Sequence, residues 1–353
     1  FLSTVYMCVT FAALINVVDY SEPEISKRAA AVTDKMLSML ALHTYKTGIV
    51  APMGRVYRSV LYPFDQGAMA LMNLINPKLP YTFGEGWLGF YASSHYPIPE
   101  GLVKLMEDDV ETNYTTGNAR VYLEKNDDYC LTSVASPREP FTRWENETLK
   151  EDVDITTHNF TKSFNERFHG TTYFRPGTYG YQQHMWYAAL DGEASIFVTH
   201  PGSTSEEGDM RPGYWHGNGV MPALKQQHGL LGGIYVIPDE HPIGYTHLYC
   251  PECRFDEVIH EENWIFLRKE TGYLALWCSE KMEAHNGMNF NCEQRAYSKN
   301  AAYLCVCGGK KSDASFAAFI KRAKETSPSY DKESKTLTAQ NFELSYVACE
   351  DVT

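Results

Sequence analysis

The spacing of hydrophobic and polar residues changes about one third of the way along the chain. In the first third, apolar residues recur every three or four positions, as at Ile25, Ala29 and Val32, which predicts amphipathic helices. Beyond it, apolar and polar residues alternate in short runs separated by glycine, proline and polar residues, which predicts strands and turns. The sequence therefore predicts an α+β protein with a helical part, 1–112, and an antiparallel β part, 113–353.

The helical part has recognisable ends. Ser21–Glu24 forms a capping box with proline in the first turn, and Gly48 is the predicted end of the helix that follows. Shorter helices are predicted at 66–75 and 99–109. The apolar run Phe1–Val18 is long enough to cross a membrane, but the polar residues within it favour a buried helix.

The β part is predicted to contain a series of short strands. One pair forms a hairpin in which Gly272 takes the left-handed position of the turn. A short amphipathic helix is predicted at 315–325. The predicted strands are 119–123, 129–134, 194–199, 230–237, 245–249, 263–268, 273–277, 302–306 and 337–347.

The stretch 178–219 has the composition of a binding site. It combines tyrosine, histidine, amide and arginine side chains with glycine and proline. Glycine lets the backbone approach a ligand closely, and binding residues concentrate on loops held by a rigid scaffold. The alternative is a loop-rich β-domain in which polar aromatic residues satisfy turns. The candidate residues here are Tyr181, Gln183, His184, Arg211, Trp215, His216 and Asn218.

Two connections in the helical part could form a second side of that site. Arg55 and Tyr57 follow Gly54, while Glu85 and Trp87 stand in a glycine-rich loop. Charged and aromatic side chains beside glycine are typical of a binding rim. The alternative is an ordinary connection between helices.

Composition and charge narrow the class of partner. Hydrophobic residues make up 44% and charged residues 21% of the 353 residues, which describes a globular protein. The formal net charge of -13 argues against a nucleic-acid partner. The 13% aromatic content, with 24 tyrosines, suits either carbohydrate contacts or a β-rich core.

Cysteines and sequons indicate a compartment. Asn113, Asn146 and Asn159 each begin an N-glycosylation sequon, which favours a secreted or extracellular protein in which some of the nine cysteines form disulfides. No cofactor is required by the sequence. A structural divalent metal would have one weak candidate site, against which a disulfide or inert thiols are favoured; its ligands would be His247, Cys250, Cys253 and Asp256.

A series of motifs runs along most of residues 20–310: Gly54–Tyr57, Asp128–Ser133, Gly180–His184, Thr199–Gly202, Tyr214–Gly219, Phe255–Glu257 and Gly272–Leu276. In their order, the chain resembles secreted proteins grouped with heparinase II/III-like polysaccharide lyases. That resemblance implies an (α/α) toroid followed by an antiparallel β-sandwich, with residues 1–112 as the end of the toroid. It also implies that the earlier helices lie in an upstream segment of the same precursor or in a companion chain.

The implied reaction is β-elimination on a uronate-containing glycan. It needs a base for the proton next to the carboxylate, an acid for the leaving oxygen, and donors that neutralise the carboxylate. Tyr181 and His184 are the predicted acid–base pair, and His216 is a further catalytic candidate. The predicted donors to the carboxylate are Gln183, Arg211 and Asn218, with Arg55 reaching across from the helical part.

Two other functions remain open from the sequence. A glycoside hydrolase needs two carboxyl groups beside the scissile bond, for which Glu85, Asp191, Asp256 and Glu257 are candidates. A carbohydrate-binding or structural glycoprotein that kept the fold without the chemistry needs neither arrangement.

Overall fold

The computed structural model describes a protein of mixed helix and antiparallel sheet, in agreement with the α+β prediction. The helices of the first third are followed by strands from Val110 onward, with one more helix near the end of the chain. The described residues are 2–56, 67–82, 87–116, 119–135, 183–201, 214–215, 218–239, 241–286 and 292–346.

The first third of the chain forms a layer of helices. Its core contains Phe11, Ile15, Leu37 and Leu40, which lie where the first two helices pack against each other. The elements of this layer are α1 (Tyr6–Tyr20), α2 (Pro23–His43), the small strands β1 (Thr44–Tyr45) and β2 (Gly48–Ile49), α3 (Gly67–Ile75), α4 (Trp87–Ala92) and α5 (Leu102–Glu107).

Helix α2 has proline in its first turn as predicted, but the capping box is wrong and the helix ends earlier. Its N-cap residue is Glu22, which makes no side-chain cap hydrogen bond, because Ser21 ends α1 and its hydroxyl donates to the Val17 backbone oxygen. It stops at His43 rather than Gly48, because β1 and β2 form a hairpin in which Lys46 takes a positive φ of 48°. The backbone oxygen of His43 accepts a hydrogen bond of 2.8 Å from the Val50 N–H, which closes this hairpin against the helix end.

The outward face of α1 is uncharged along its whole length. The exposed residues of this helix are Tyr6, Val9, Thr10, Ala13, Asn16, Val17 and Tyr20. The face is therefore uncharged but not wholly apolar, and its exposed large apolar side chains form a surface suited to packing against other protein. Among the described residues, no helix is both long and apolar enough to cross a membrane.

Two large antiparallel sheets follow. The first consists of β3 (Val110–Thr116), β4 (Ala119–Lys125), β5 (Cys130–Ala135), β6 (Trp186–Ala189), β7 (Ser195–Thr199), β10 (Thr246–Tyr249), β14 (Met282–His285) and β15 (Glu293–Ala296). The second consists of β8 (Ala223–Gln227), β9 (Leu230–Val236), β11 (Glu257–Glu261), β12 (Trp264–Lys269), β13 (Gly272–Cys278) and β16 (Asn300–Gly309). The strand order is β14-β15-β10-β7-β6-β5-β4-β3 in the first sheet and β11-β12-β13-β16-β9-β8 in the second.

A hydrophobic core joins one face of each large sheet. Leu131 and Val198 of the first sheet belong to the same buried cluster as Leu231 and Leu274 of the second. The remaining elements cover the other face of the second sheet, where Phe319 and Phe342 are buried. These elements are α6 (Phe316–Glu325), β17 (Ser329–Asp331), β18 (Thr336–Ala339) and β19 (Phe342–Ser345).

The other face of the eight-stranded sheet packs on the helical layer. Tyr187, Phe197 and Tyr249 of the sheet share a cluster with Tyr45 and Val50. Sequence alternation explains this division, because successive side chains of a strand point to opposite faces.

Lys125 fixes the helical layer to the sheet. Its Nζ donates hydrogen bonds to the backbone oxygens of Thr44 at 3.1 Å, Leu105 at 2.7 Å and Met106 at 3.1 Å. The side chain is buried, and this burial lowers the pKa of Lys125 to about 8. A charged group that is buried in this way needs such partners, because an unpaired charge would be costly away from water.

Glycine at the predicted hairpin serves close packing rather than a turn. The left-handed residue of the turn is Glu270, with φ of 50°, whereas Gly272 is already the first residue of β13. A Cβ on Gly272 would lie 2.0 Å from the backbone oxygen of Asp128. Gly309 is the cross-strand neighbour of Gly272. A Cβ added to Gly309 would lie 2.2 Å from the Cβ of Asp128.

We expect Gly272→Ala to destabilise the fold by about 1–3 kcal/mol or more, because the added methyl group would have to displace backbone atoms. Gly89→Ala is the matched control, since a Cβ at Gly89 meets nothing within 4 Å and alanine favours helix α4. Urea unfolding of the two variants measures the difference. Equal midpoints for Gly272→Ala and the unsubstituted chain would contradict the packing role.

Candidate functional site

The predicted site residues divide into those the structure describes and those outside it. Tyr57, Glu85, Tyr181, Arg211 and His216 lie outside the described residues, and Trp87 is described only as the first residue of α4. The described members are Arg55, Gln183, His184, Trp215 and Asn218.

His184 joins the β part to the helical part through its backbone. It forms an isolated antiparallel bridge with Met53, with N–H to oxygen distances of 2.9 and 3.1 Å. Arg55 is two positions beyond Met53 in the same segment. His184 and Arg55, which are far apart in sequence, thus lie in neighbouring segments, whereas the sequence predicted that their side chains meet Tyr181 in an open cleft.

The ring of His184 is fully buried and bonded at both nitrogens. Nε2 donates to the backbone oxygen of Trp215 at 2.7 Å, so Nδ1 is the nitrogen that accepts the hydroxyl hydrogen of Tyr187. The ring also lies 4.4 Å from that of Phe197, centroid to centroid. In this geometry His184 anchors Trp215, which differs from the acid–base role predicted for it.

Asn218 and Gln183 form another internal connection. Asn218 Nδ2 donates to the Gln183 backbone oxygen at 2.8 Å, while its Oδ1 accepts from the His200 backbone N–H and the Tyr235 hydroxyl, both at 3.1 Å. Asn218 is fully buried. Its amide therefore organises three chain segments, whereas the sequence predicted a donor to substrate carboxylate.

His200 is a neutral, buried imidazole beside these residues. Its Nε2 donates to the backbone oxygen of Ile243 at 3.0 Å. Burial, followed by the nearby His241, lowers the pKa of His200 to about 3. A Cβ on Gly219 would lie 2.6 Å from His200 Nδ1, which explains the glycine after Asn218.

A charged network lies on the helix-facing side of the eight-stranded sheet and was not predicted as a unit. One oxygen, Oε1 of Glu293, accepts hydrogen bonds from Arg295 Nε at 2.7 Å, His247 Nδ1 at 3.2 Å and the Tyr214 hydroxyl. Arg295 Nη2 donates to the Tyr214 oxygen at 2.6 Å. The Tyr214 and Tyr245 hydroxyls are 3.0 Å apart. All but Tyr245 are buried.

Trp215 connects this network to His184. Its indole stacks on the His247 ring, with centroids 4.1 Å apart and an interplanar angle of 9°. Its backbone oxygen accepts the bond from His184 Nε2. Tyr214 and Trp215 were both singled out by the sequence, but Glu293 and Arg295 were not.

Electrostatics keep the network charged at neutral pH. Burial alone would raise the pKa of Glu293, but hydrogen bonds and charge from His247, Arg295 and Tyr214 hold it at about 2. Burial and the Glu293 carboxylate together raise the pKa of Tyr214 well above its usual range. Tyr214 is therefore a neutral phenol that donates to Glu293.

The carboxylates proposed for hydrolysis have other partners. Asp191 Oδ1 accepts the backbone N–H groups of Glu193 and Ala194, both at 2.7 Å, and its second oxygen pairs with Lys269. Asp256 and Glu257 both pair with Arg268 at the surface. Asp191 thus stabilises the turn between β6 and β7.

The four weak metal candidates do not converge. His247 faces the helical layer with Glu293, whereas Cys250 lies in the core between the sheets, because the two positions differ by an odd number of residues. Cys253 is exposed, and Asp256 pairs with Arg268. Within the described ranges, no group of three or more histidine, cysteine or acidic side chains could hold a metal ion.

The predicted modifications are only partly described. Asn113 is exposed on β3, an edge strand of the eight-stranded sheet, while Asn146 and Asn159 lie outside the described residues. No disulfide joins two of the described cysteines.

Comparison with protein-family models, curated proteins and solved structures gives no match for this chain.

We expect Glu293→Gln to lower the free energy of unfolding by on the order of 3 kcal/mol at neutral pH. The pKa of Glu293 is lower in the folded chain, at about 2, than its ordinary value of 4.5. Its stabilisation is therefore complete above pH 4.5 and is lost as the pH falls toward 2.

The difference between Glu293→Gln and the unsubstituted chain should accordingly shrink in acid, which denaturant unfolding at a series of pH values would measure. Glu343→Gln, at an exposed position of β19, is the control and should change little at any pH. A gap for Glu293→Gln that stays constant from neutral pH down to pH 3 would exclude a depressed pKa.

Proposed function

We propose that this chain is a carbohydrate-active protein that cleaves an acidic polysaccharide by β-elimination. The site would lie where the eight-stranded sheet meets the helical layer. The observation that carries the proposal is the buried network of Glu293, Arg295, His247 and Tyr214, next to the segment predicted to bind substrate.

Such a network is costly to maintain in a core. Removing an arginine and a glutamate from water carries a desolvation penalty that well-packed apolar residues would avoid. Strongly perturbed titratable groups also cluster at functional sites. The position of the network at the junction of two layers, rather than between the two sheets, supports a ligand-binding role.

The proposed reaction needs no group beyond amino-acid side chains. A base removes the proton next to the uronate carboxylate, the electron pair forms a carbon–carbon double bond, and the glycosidic oxygen leaves with a proton from an acid. Tyr181 and His216 keep the acid–base roles in this proposal. His184 positions Trp215, and Arg211 supplies positive charge opposite the carboxylate.

The same proposal includes the finer architecture. The core shared by the two large sheets supports a β-sandwich, and the helical hairpin of α1 and α2 supports the end of a toroid. The uncharged outward face of α1 supports packing by further helices, from an upstream segment of the precursor or from a companion chain. Exposed Asn113 is consistent with a glycosylated, secreted protein.

A binding protein without catalysis is the second candidate. It is favoured by the full burial of His184, whose two ring nitrogens are bonded within the protein. The same polar network would then serve recognition alone.

We expect a uronate polysaccharide incubated with the protein to gain the ultraviolet absorbance of an unsaturated uronate. Tyr181→Phe, which removes one hydroxyl, should lower that turnover by about 10²–10⁴-fold if Tyr181 transfers a proton. Tyr81→Phe, at a surface position that is 76% exposed, is the control and should leave turnover unchanged.

The products distinguish the alternatives. Reducing ends without ultraviolet absorbance would indicate a hydrolase, and retention of glycan with neither signal would indicate a binding protein. Equal turnover in Tyr181→Phe and the unsubstituted protein would remove the catalytic assignment of Tyr181.

We also expect the protein purified from its natural source to contain polypeptide in addition to these 353 residues, which peptide mapping by mass spectrometry would detect. The exposed apolar side chains of α1, among them Val9, Val17 and Tyr20, are suited to packing against additional helices. A particle that contains this chain alone would count against the proposed partner.

A further inference from the structure

The strand pairing continues the charged network to the edge of the eight-stranded sheet. His247 on β10 is directly opposite Arg295 on β15, which is in turn opposite Glu283 on the edge strand β14. Directly opposed residues share a face of the sheet. Tyr245 and Tyr297 are two positions from His247 and Arg295 and therefore lie on this face as well.

Exposure increases across this row toward the edge. His247 is fully buried, Arg295 is 7% exposed, and Tyr297 is 55% exposed. Glu283 is also exposed, and Tyr245 is half-buried. The helical layer thus ends before the sheet does, and the network reaches solvent at β15 and β14.

The guanidinium of Arg295 lies close to three tyrosine side chains at this edge of the sheet. Its guanidinium is 4.6 Å from the centroid of the Tyr245 ring and 5.6 Å from that of Tyr214. The rings of Tyr245 and Tyr297 are 5.5 Å apart, with an interplanar angle of 56°. Arg295 Nη1 approaches the Tyr297 hydroxyl at 3.5 Å.

The guanidinium is held in one orientation before any ligand arrives. Glu293 binds Nε and Tyr214 accepts from Nη2, so little conformational freedom remains to be lost on binding. An exposed tyrosine offers a flat apolar face with a polar tip, which suits a sugar ring. The guanidinium is paired with Glu293 through Nε, but its Nη1 side is turned to the Tyr297 hydroxyl, and a planar guanidinium fits a carboxylate of a sugar.

We infer that Tyr245, Tyr297 and Arg295, with Glu283 at the rim, form a binding subsite for an acidic sugar residue of a glycan. The Tyr297 ring would stack on the sugar, Arg295 would attract its carboxylate, and Glu283 would accept hydrogen bonds from its hydroxyls. This subsite rests on the proposed function for its ligand class. None of its residues takes an acid–base role in the proposed reaction, so we assign it to binding alone.

The test uses affinity electrophoresis of the whole protein in gels that contain alginate, heparin or neutral dextran. Alginate supplies carboxylates, heparin adds sulfates, and dextran supplies neither. We expect retardation by alginate and none by dextran, and Tyr297→Ala should weaken the alginate interaction about tenfold. Tyr81→Ala is the matched control, because Tyr81 is also an exposed tyrosine but lies in the helical part.

Kinetics separate this subsite from the proposed reaction. If alginate is cleaved, Tyr297→Ala should raise KM about tenfold and leave kcat nearly unchanged, since the residue binds without reacting. Equal retardation and equal KM for Tyr297→Ala and Tyr81→Ala would overturn the subsite while leaving the lyase proposal in place. Alginate retardation that is lost in Tyr297→Ala, with no unsaturated product, would support the subsite and reject the lyase.

Retardation by heparin but not by alginate would overturn the assignment to a carboxylate and show a sulfate-dependent site. Equal retardation by all three polymers would overturn the role of Arg295 in selecting an anion. Because Tyr297 is exposed, its substitution should not unfold the protein, and an unchanged melting temperature checks this point.

Discussion

A single carboxylate oxygen organises the chemistry of this protein. Glu293 Oε1 accepts hydrogen bonds from an arginine, a histidine and a tyrosine that come from three different parts of the chain. Charged donors make such bonds stronger than neutral ones, and burial removes the competition of water. The positions of Tyr214, His247 and Arg295 are therefore consequences of one acceptor. Trp215 follows, because its indole stacks on His247 while its carbonyl holds His184.

Many of the helices and strands could be predicted from the sequence, because local patterns of apolar and polar residues determine them. The proline in the first turn of α2 and the alternation in the strand residues 119–125 correspond to elements that begin close to the predicted positions, although the predicted capping box does not form. The misplaced end of α2 has a nonlocal cause, since residues 44–49 pair into a hairpin that packs on the sheet. The sequence singled out Gly272, but predicted that it takes the left-handed position of a turn. The true reason is contact with Asp128, which is distant in sequence.

The site could be predicted less well, because contacts between residues that are distant in sequence determine it. The strand Glu293–Ala296 consists mostly of polar residues, a composition that ordinarily indicates solvent exposure, yet all four residues are buried. Nothing within that strand shows that Tyr214 and His247 will meet it. His184 and Asn218 were found by composition, but their roles depend on which partners reach them. In the structure those partners are backbone groups and the hydroxyls of Tyr187 and Tyr235, all from the protein itself.

The ammonium group of Lys125 has a mechanical consequence for this molecule. It binds carbonyls from both the end of α2 and the end of α5, while its own strand belongs to the sheet. Hinge opening between the two layers would strip all three bonds from a desolvated cation at once. Large hinge motion between the helical layer and the eight-stranded sheet is therefore disfavoured.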